Sequence, residues 1–419
     1  MTGLPCDFGS SGEGKGVDGC GRVRAPGSAR LAFVSPQRRW KAGLTAGSLS
    51  DLKRHTRSSV STMHHATHNR PADNPGERPD QPGAERPALL LAMGPGIAER
   101  LFADRHRDRL TALARTDPQL IAHDLAAPTP PVADTLAAAE VLLTCWGAPP
   151  LTAEVLAGAP RLRAVVHAAG SVKHHITDAC WARGIAVTSA ATANALPVAE
   201  YTLAAILFAG KHVLRSAQRY ERLRTDHDLC EFDDAGNYRR TVGIVGASRI
   251  GRRVIELLRS FDVQVLLYDP YVTDAEAAEL GVVRTELDEL CRLSSIVTVH
   301  APLLASTRHM IDARRLALLP DGATLINTSR GSLIDENALL PELVSGRLHA
   351  VLDVTDPELP AADSPLYSLP NVLMTPHIAG SLGNELHRMA DQALDELERY
   401  TQGLPFADPV HPEALNHSA

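Results

Sequence analysis

Three blocks in the second half of the sequence carry side chains of the types that acid–base chemistry needs. They read NTSRGSLIDENAL, LDVTDPELP and TPHIAG, and they contain Arg330, Glu358 and His377. Each block places a polar residue just beyond a predicted strand, at the edge where open α/β sheets bind ligands. A guanidinium holds a carboxylate bidentately. An imidazole exchanges a proton near neutral pH, and a carboxylate on its other nitrogen fixes the tautomer.

Each of these residues also has a simpler interpretation when it is taken singly. A histidine after a strand is usually a surface residue, and an isolated Arg330 would most often be a salt-bridge partner. Only their occurrence together favours a reactive site. The histidine pairs at residues 64–65 and 174–175 lack a surrounding ligand set with metal spacing, so no metal site is expected.

A glycine-containing loop precedes the three blocks. The stretch GASRIG, residues 246–251, follows the apolar run RTVGIVG and opens the predicted helix SRIGRRVIELLRSF. Gly246 allows the tight strand-to-helix turn, and Gly251 lets the helix and the strand approach closely. Backbone N–H groups around Arg249 and Ile250, at the positive end of the helix dipole, would face a pyrophosphate. The sequence therefore predicts a dinucleotide site here, with a plain glycine-containing turn as the alternative.

Ser248 occupies the position where such loops usually have a second glycine. Its Cβ adds bulk where the phosphate would pass, and its hydroxyl either donates to a phosphate oxygen or caps the helix. Asp269 ends the next predicted strand, VQVLLYD, 18 residues after Gly251, close to the spacing at which an acid meets the adenosine ribose hydroxyls. Its charge would repel a 2′-phosphate, so the expected cofactor is NAD, although Arg249 and Arg252 weaken that preference.

The motifs HAPL, INTSRGSLIDE and PHIAG, in this order between Val242 and Gly380, resemble those of the D-isomer-specific 2-hydroxyacid dehydrogenases. The likeness covers roughly residues 88–405. It implies an enzyme that transfers a hydride between NAD(H) and a small D-2-hydroxy acid or 2-keto acid, in a cleft between two domains. It also implies a homodimer formed through the cofactor domain.

The resemblance assigns roles to single residues. Arg330 matches the arginine that binds the substrate carboxylate, Glu358 matches the catalytic glutamate, and His377 matches the catalytic acid/base. Four further positions match residues beside the cofactor: His300, Thr328, Ser329 and Asp353. Leu359 follows Glu358, where proline is usual.

The segment HAAGSVKHHIT matches the family loop that offers backbone N–H groups to the substrate carboxylate. The matching residues are Gly170, Ser171 and Val172. Val172 stands where a second glycine is common. The next three residues, Lys173, His174 and His175, either favour an anionic substrate or form a solvated helix start.

Trp146, in the stretch TCWG, follows a predicted strand in the same domain. It forms either an apolar wall of the substrate pocket or part of the core.

The elements that would position these residues alternate between strand and helix. Before residue 198 the predicted strands are Ala88–Met93, Val141–Thr144, Leu162–His167 and Ile185–Thr188. A single long apolar helix, residues 196–224, would link two domains. After the glycine loop, further strands are predicted at Ser295–Val299, Ala323–Asn327, Ala350–Asp353 and Val372–Met374, and a final amphipathic helix at Asn384–Thr401.

This pattern predicts an α/β protein with two doubly wound parallel-sheet domains. The Rossmann-like cofactor domain would span 201–384. The flavodoxin-like substrate domain would span 88–200 and 385–419. Residues 1–87 are rich in Gly, Ser, Pro, Arg and His, which predicts a disordered extension. A basic interaction tail and a true translation start at Met63 are the alternatives.

The bulk composition is that of a globular protein, with 44% hydrophobic and 22% charged residues among 419. The net charge of −7 disfavours nucleic acid or an anionic membrane as a partner. No apolar run is expected to span a bilayer. Six cysteines without a CxxC pair, and the lack of an export pattern, favour a cytoplasmic protein with reduced thiols and no zinc site.

The competing hypothesis is an NAD(H)-sensing, corepressor-like binding protein on the same fold. Corepressors that resemble this family keep the same catalytic residues, so the motifs do not exclude it. Turnover of 2-keto acids with NADH distinguishes the two.

Overall fold

Two parallel β-sheets organise the chain. The computed structural model describes residues 85–224 and 234–415. Residues 1–84 of the predicted N-terminal extension, including Met63, lie outside the described residues.

The first sheet has five parallel strands in the order β2-β1-β3-β4-β5, which is the flavodoxin-like order. Its strands are β1 (Leu89–Ala92), β2 (Ile121–Ala122), β3 (Val141–Thr144), β4 (Ala164–His167) and β5 (Ala186–Ser189). The helices between them are α1 (Ile97–Leu101), α2 (Asp104–Leu113), α3 (Pro130–Ala138), α4 (Ala153–Ala157) and α5 (Asp178–Ala182).

Both faces of this sheet are covered, and strand β1 is buried and apolar at all four positions. Leu89 and Leu91 point into one core and Leu90 into the other, as the two-residue period of a strand requires. The long helix near the C-terminus, α13 (Leu386–Thr401), covers the core that contains Leu89 and Leu91. Five of its residues at helical spacing are buried there: Leu386, Met389, Ala393, Leu397 and Tyr400.

The second sheet has seven parallel strands in the order β12-β11-β10-β9-β6-β7-β8. Its strands are β6 (Thr241–Val245), β7 (Gln264–Tyr268), β8 (Val283–Arg284), β9 (Ile296–Val299), β10 (Thr324–Asn327), β11 (His349–Leu352) and β12 (Val372–Met374). The helices of this sheet are α8 (Arg249–Leu258), α9 (Asp274–Leu280), α10 (Leu287–Leu293), α11 (Ala313–Leu316) and α12 (Glu336–Val344). The order reverses between β6 and β9, and ligands bind beyond the carboxyl ends of strands at such a switch point.

The predicted single helix over 196–224 is wrong. Two helices, α6 (Ala191–Gly210) and α7 (Val213–Leu223), are separated by His212, whose φ of 52° is left-handed. A Cβ at Gly210 would lie 1.9 Å from the Asn237 amide oxygen, so the chain packs tightly where α6 ends. A short α14 (Pro412–Leu415) closes the described chain.

The other predicted strands are confirmed, with ends that differ from the structure by at most two residues. Such ends depend on the last ladder hydrogen bond rather than on composition. The final helix begins at Leu386, after a 3₁₀ turn at Gly383–Glu385.

Helix α6 corrects the expectation that no segment reaches bilayer-spanning length. Within the described ranges it is the one helix long and apolar enough for that, and half of it is buried inside the fold. Ala199 and Ile206 of α6 pack in the core that contains Val254 and Ile255 of α8, which accounts for its apolar composition.

Three cysteines lie in the described ranges, and all are buried and unpaired: Cys145, Cys180 and Cys291. Burial raises the pKa of Cys145 to about 12 and that of Cys291 to about 11. Both thiols are therefore protonated at neutral pH and serve as small packing residues.

Candidate active site

The glycine loop after β6 has a geometry that only glycine permits at two positions. Gly246 has a φ of 100°, and a Cβ there would lie 2.7 Å from the backbone nitrogen of Ala301. A Cβ at Gly251 would lie 2.1 Å from the carbonyl oxygen of Gly246. Both side chains are excluded by backbone atoms, so the loop lies tightly against the end of β9.

Ser248 fits this loop because its backbone is ordinary, with a φ of −62° and a ψ of 176°. It is the N-cap of α8, and its Oγ accepts from the Gly251 N–H at 3.3 Å. Of the two roles open for its hydroxyl, the structure contains the cap. Within the described ranges, the N–H groups of Ser248, Arg249 and Ile250 have no protein acceptor. They leave the positive end of a ten-residue helix able to hold an anion.

Asp269 braces the loop from the end of β7. Its Oδ2 accepts from the Ala247 N–H at 2.7 Å, and its Oδ1 accepts from the Tyr271 N–H at 2.8 Å. A carboxylate has about four acceptor sites, so hydroxyl donors can still bind it. The side chain therefore both shapes the loop and places a negative charge beside it.

His300 lies behind the loop with a buried, neutral side chain. Its Nε2 is 3.0 Å from the Thr298 hydroxyl, and burial lowers its pKa to about 3. Its backbone carbonyl carbon would be 2.9 Å from a Cβ at Gly246, so this residue shapes the cradle through its main chain. A contact between the imidazole and the cofactor stays a prediction.

Thr328, Ser329 and Arg330 follow β10. The Thr328 hydroxyl is 3.1 Å from that of Thr202, and Ser329 Oγ donates to the Val299 carbonyl at 2.7 Å. Both side chains are buried, and their predicted cofactor contacts stay predictions. Arg330 donates to the Ser329 carbonyl at 2.6 Å and, within 85–224 and 234–415, has no carboxylate within 4 Å. Its guanidinium is thus available for an anionic ligand.

His377 and Glu358 form a hydrogen-bonded pair. His377 Nδ1 lies 2.5 Å from Glu358 Oε1, while the two side chains are 49% and 61% exposed. The exposed fractions leave the pair accessible to solvent and to a ligand. His377 has a φ of 55°, and its N–H donates to the carbonyls of Asp353 and Thr375, both at 3.0 Å. This unusual backbone conformation aims the imidazole at Glu358 and is held by its neighbours.

Asp353 is the residue that holds the turn around His377. Its buried carboxylate accepts from the N–H groups of Ile378 at 2.8 Å and Ala379 at 2.9 Å, and from the Thr375 hydroxyl at 2.6 Å. These three bonds give Asp353 a positioning role that the sequence did not reveal. Its predicted cofactor contact stays a prediction.

The substrate-loop residues follow β4 in the first sheet. Val172 is buried in the core of that sheet, so only its backbone is placed for ligand binding. A Cβ at Gly170 would lie 3.0 Å from Asn194 Nδ2, and Asn194 Oδ1 accepts from the Ser381 N–H at 3.0 Å. Asn194 on α6 therefore joins the loop at Gly170 to the segment that follows His377. Sequence reasoning missed it, and its one signal was an amide in an apolar helix.

Lys173, the residue after this loop, shares an electrostatic environment with Arg330. The pKa of Lys173 is lowered mainly by burial and further by the charge of Arg330. Because Arg330 belongs to the second sheet, cations from both sheets converge on one place. This arrangement supports the anionic-substrate interpretation of the loop. Trp146 is 41% exposed, so its interpretation as a core residue is wrong.

Comparison with known proteins agrees with this geometry. Residues 203–379 match the model of the D-isomer specific 2-hydroxyacid dehydrogenase NAD binding domain. A glyoxylate reductase of Korarchaeum cryptofilum is 32% identical over 266 residues, 61% of this chain and 77% of that protein. The chain belongs to the D-isomer specific 2-hydroxyacid dehydrogenase family. Its second sheet therefore carries an NAD-binding domain, and this domain contains Arg330, Glu358 and His377.

Two further relatives match most of this chain. A D-3-phosphoglycerate dehydrogenase of Mycobacterium bovis is 32% identical over 331 residues, 79% of this chain. The chain spans 57% of the length of that relative. The crystal structure of a D-lactate dehydrogenase from Aquifex aeolicus, complexed with NAD and lactic acid, is 29% identical with a TM-score of 0.59. The match covers 75% of this chain and 96% of that one.

Two departures from the family pattern fall at the site. Leu359, beside Glu358, is 79% exposed, and the backbone carbonyl of Glu358 accepts from the Thr355 hydroxyl at 3.1 Å. Val172 replaces a glycine and turns its side chain into the core, so the loop keeps its course without glycine. Neither departure disturbs the pair formed by His377 and Glu358.

Proposed function

We propose that this protein catalyses the reversible NAD(H)-linked interconversion of a small D-2-hydroxy acid and its 2-keto acid. The observation that carries this proposal is the 2.5 Å contact between His377 and Glu358. Both residues, and Arg330, follow strands of the sheet that bears the glycine loop, and Arg330 has no carboxylate partner among residues 85–224 and 234–415. The family relationship supports the same reaction class. The residues that would act here are Arg330, Glu358 and His377.

Arg330 binds and orients the substrate carboxylate, because a guanidinium pairs with both carboxylate oxygens and has no carboxylate of its own among the described residues. Lys173 adds a second positive charge beside it. The backbone N–H groups of Gly170, Ser171 and Val172 complete the carboxylate site. This arrangement places the substrate carbonyl toward His377.

His377 exchanges the proton with the substrate oxygen in this proposal. Its Nδ1 is engaged by Glu358, so Nε2 is the nitrogen that faces the substrate, and the carboxylate fixes the orientation of the ring. NADH, when bound, supplies the hydride to the carbonyl carbon. In the oxidation direction, Nε2 accepts the hydroxyl proton.

The dinucleotide would be held by residues that the fold has already shaped for it. The amides of Ser248, Arg249 and Ile250 would bind the pyrophosphate, with Gly246 and Gly251 providing the space. Asp269 would accept the ribose hydroxyls and disfavour a 2′-phosphate. Arg252 already donates to the Ala247 carbonyl, which supports NAD over NADP. His300, Thr328, Ser329 and Asp353 would line the cofactor site.

Steady-state reduction of a panel of 2-keto acids with NADH tests this proposal. We expect turnover of at least one small 2-keto acid and its loss in His377→Gln, while NADH still binds the variant. Glu358→Gln should retain the hydrogen bond to Nδ1 but lose much of kcat. NADH binding without turnover of any acid would support the sensing hypothesis instead.

The domain division proposed from sequence assigns 88–200 and 385–419 to substrate binding and 201–384 to the cofactor. Packing of α13 into the first sheet's core supports this division. Subcloning residues 201–384 and measuring NADH binding would test it.

A homodimer is proposed through the face formed by α7 and the end of α6. No residue of α7 is buried, and Phe208, Tyr220 and Leu223 are exposed. Phe208 also lines an apolar cavity of about 230 Å³, together with Leu214 and Leu373. Exposed apolar patches of this kind mark interfaces. Light scattering should give a dimer for the wild type and a monomer for Tyr220→Asp.

We propose a cytoplasmic protein that binds neither nucleic acid nor membrane. The net charge of −7 and the packing of α6 inside the fold support this. Fractionation of cells that express the native gene would test the location.

A further inference from the structure

An ion pair connects the glycine loop to the C-terminal segment. Arg249 is the first residue of α8, and its Nη2 lies 2.5 Å from Asp408 Oδ1. Asp408 belongs to the segment after α13. This segment pairs with β5 of the first sheet, where the Val410 N–H donates to the Val187 carbonyl at 2.8 Å. The pair therefore links the C-terminal segment to the start of α8, where the dinucleotide loop enters the helix.

The two partners differ in how firmly they are fixed. The Asp408 side chain is 17% exposed, and its Oδ2 accepts from Thr192 Oγ1 at 2.5 Å and from Gln392 Nε2 at 3.3 Å. Its backbone N–H donates to the buried Glu396 carboxylate at 2.7 Å. The Arg249 side chain is 52% exposed and, in the described part of the chain, has Asp408 as its only side-chain partner. Arg249 is thus the partner that can move.

The mobile arginine stands beside the anion site. Arg249 is also one of the three residues whose N–H groups lack a protein acceptor at the start of α8. A pyrophosphate carries two negative charges. A guanidinium that is already paired with the Asp408 carboxylate attracts these charges less strongly than a free one. The carboxylate and the cofactor phosphates therefore compete for one cation.

We propose that Asp408 acts as a cofactor-responsive latch: it holds Arg249 in the free protein and yields it to the pyrophosphate when NAD(H) binds. Release of Arg249 removes the ion pair between the second sheet and the C-terminal segment of the first. Cofactor binding is thereby coupled to freedom of movement between the two sheets. Asp408 is a positioning residue. By holding Arg249 away from the pyrophosphate, it lowers the affinity of the protein for the cofactor. This inference rests on the proposed use of NAD(H).

Binding of NADH, measured by its fluorescence, tests the latch without reference to turnover. Asp408→Asn keeps an oxygen for Thr192 but removes the charge, and it should bind NADH about fivefold more tightly, which corresponds to about 1 kcal/mol. The NADH affinity of Asp408→Asn should also fall more steeply with salt. In this variant Arg249 gains an ion pair with the phosphate without losing one with Asp408, so the net attraction that salt screens is larger. Asp395→Asn, which breaks the 2.7 Å pair with Arg109 within the first domain, is the matched control and should leave affinity unchanged.

A double-mutant cycle separates the latch from a general loosening of the C-terminal segment. In an Arg249→Gln background, Asp408→Asn should change NADH affinity by less than twofold. Hydrogen exchange of residues 404–412 should rise when NADH is added to the wild type, and should already be high in Arg249→Gln. Unchanged or weaker NADH binding by Asp408→Asn, or an effect that persists without Arg249, would overturn the latch. Absence of NADH binding to the wild type would instead refute the proposed function.

Discussion

Replacement of Gly246 by alanine tests the shape of the dinucleotide loop. A Cβ at this position would lie 2.7 Å from the nitrogen and 2.9 Å from the Cα of Ala301, and 2.9 Å from the carbonyl carbon of His300. All three are backbone atoms, which cannot turn aside as a flexible side chain would. The backbone φ of 100° adds a conformational cost for any L-residue.

Gly281 provides the control that separates these two costs. It caps α9 with a φ of 73°, and a Cβ there would meet nothing within 4 Å. Gly281→Ala should therefore lose only the conformational term, about 1 kcal/mol of unfolding free energy. Gly246→Ala should lose about 3 kcal/mol more, because overpacking against rigid neighbours adds a cost of that order.

Urea unfolding followed by circular dichroism measures both variants, and NADH titration follows the consequence for binding. We expect Gly246→Ala to bind NADH at least about tenfold more weakly, since the loop must shift to relieve the overlap. Gly281→Ala should bind NADH like the wild type. Equal stability of the two variants together with unchanged NADH affinity in Gly246→Ala would refute the close approach of the loop to β9.

Three further predictions address the substrate, the cofactor and the buried histidines. Arg330→Lys should lower kcat/KM for 2-keto acids about 30-fold, because losing one charge-assisted hydrogen bond costs about 2 kcal/mol, while NADH affinity stays the same; an unchanged kcat/KM would remove Arg330 from the carboxylate site. Asp269→Ala should narrow the preference for NAD over NADP in kcat/KM, and a wild type that already prefers NADP would contradict this role. The pKa of His300 is lowered to about 3 by burial, and that of His167 to about 3 by burial and the charge of His175. The unfolded chain therefore binds more protons than the folded one between pH 6.5 and 3, and stability falls as the pH is lowered through this window by up to about 1.4 kcal/mol per pH unit for each histidine. Denaturation at pH 7.5, 6.5 and 5.5 should show a slope reduced by that amount in His300→Gln, and an unchanged slope would contradict the neutral buried state.

The parts of the site that could be predicted from sequence are those in which local backbone geometry fixes the residue type. Gly246 and Gly251 are needed because a Cβ would overlap backbone atoms, so their spacing carries the information. Likewise, parallel strands end at one sheet edge, and this brought Arg330, Glu358 and His377 into one prediction. The chemistry of proton exchange called for a carboxylate on the second imidazole nitrogen, and the structure contains that contact between Glu358 and His377.

Features that depend on contacts distant in sequence could not be predicted. The hydrogen bond from Ser381 to Asn194 joins residues that are 187 positions apart in the sequence. The ion pair of Arg249 with Asp408 joins residues that are 159 positions apart. No local pattern marks either contact. The break at His212 was missed for the same reason, because helix-forming residues continue past it, while Gly210 packs closely against Asn237 at the point where α6 ends.

The most direct test of the central claim is oxidation of the two enantiomers of small 2-hydroxy acids with NAD, followed by the absorbance of NADH. We expect the D-enantiomer of at least one acid to reduce NAD, the matching L-enantiomer not to do so, and His377→Gln to abolish the reaction. Turnover of the L-enantiomers, or of neither enantiomer by a protein that binds NADH, would contradict that claim.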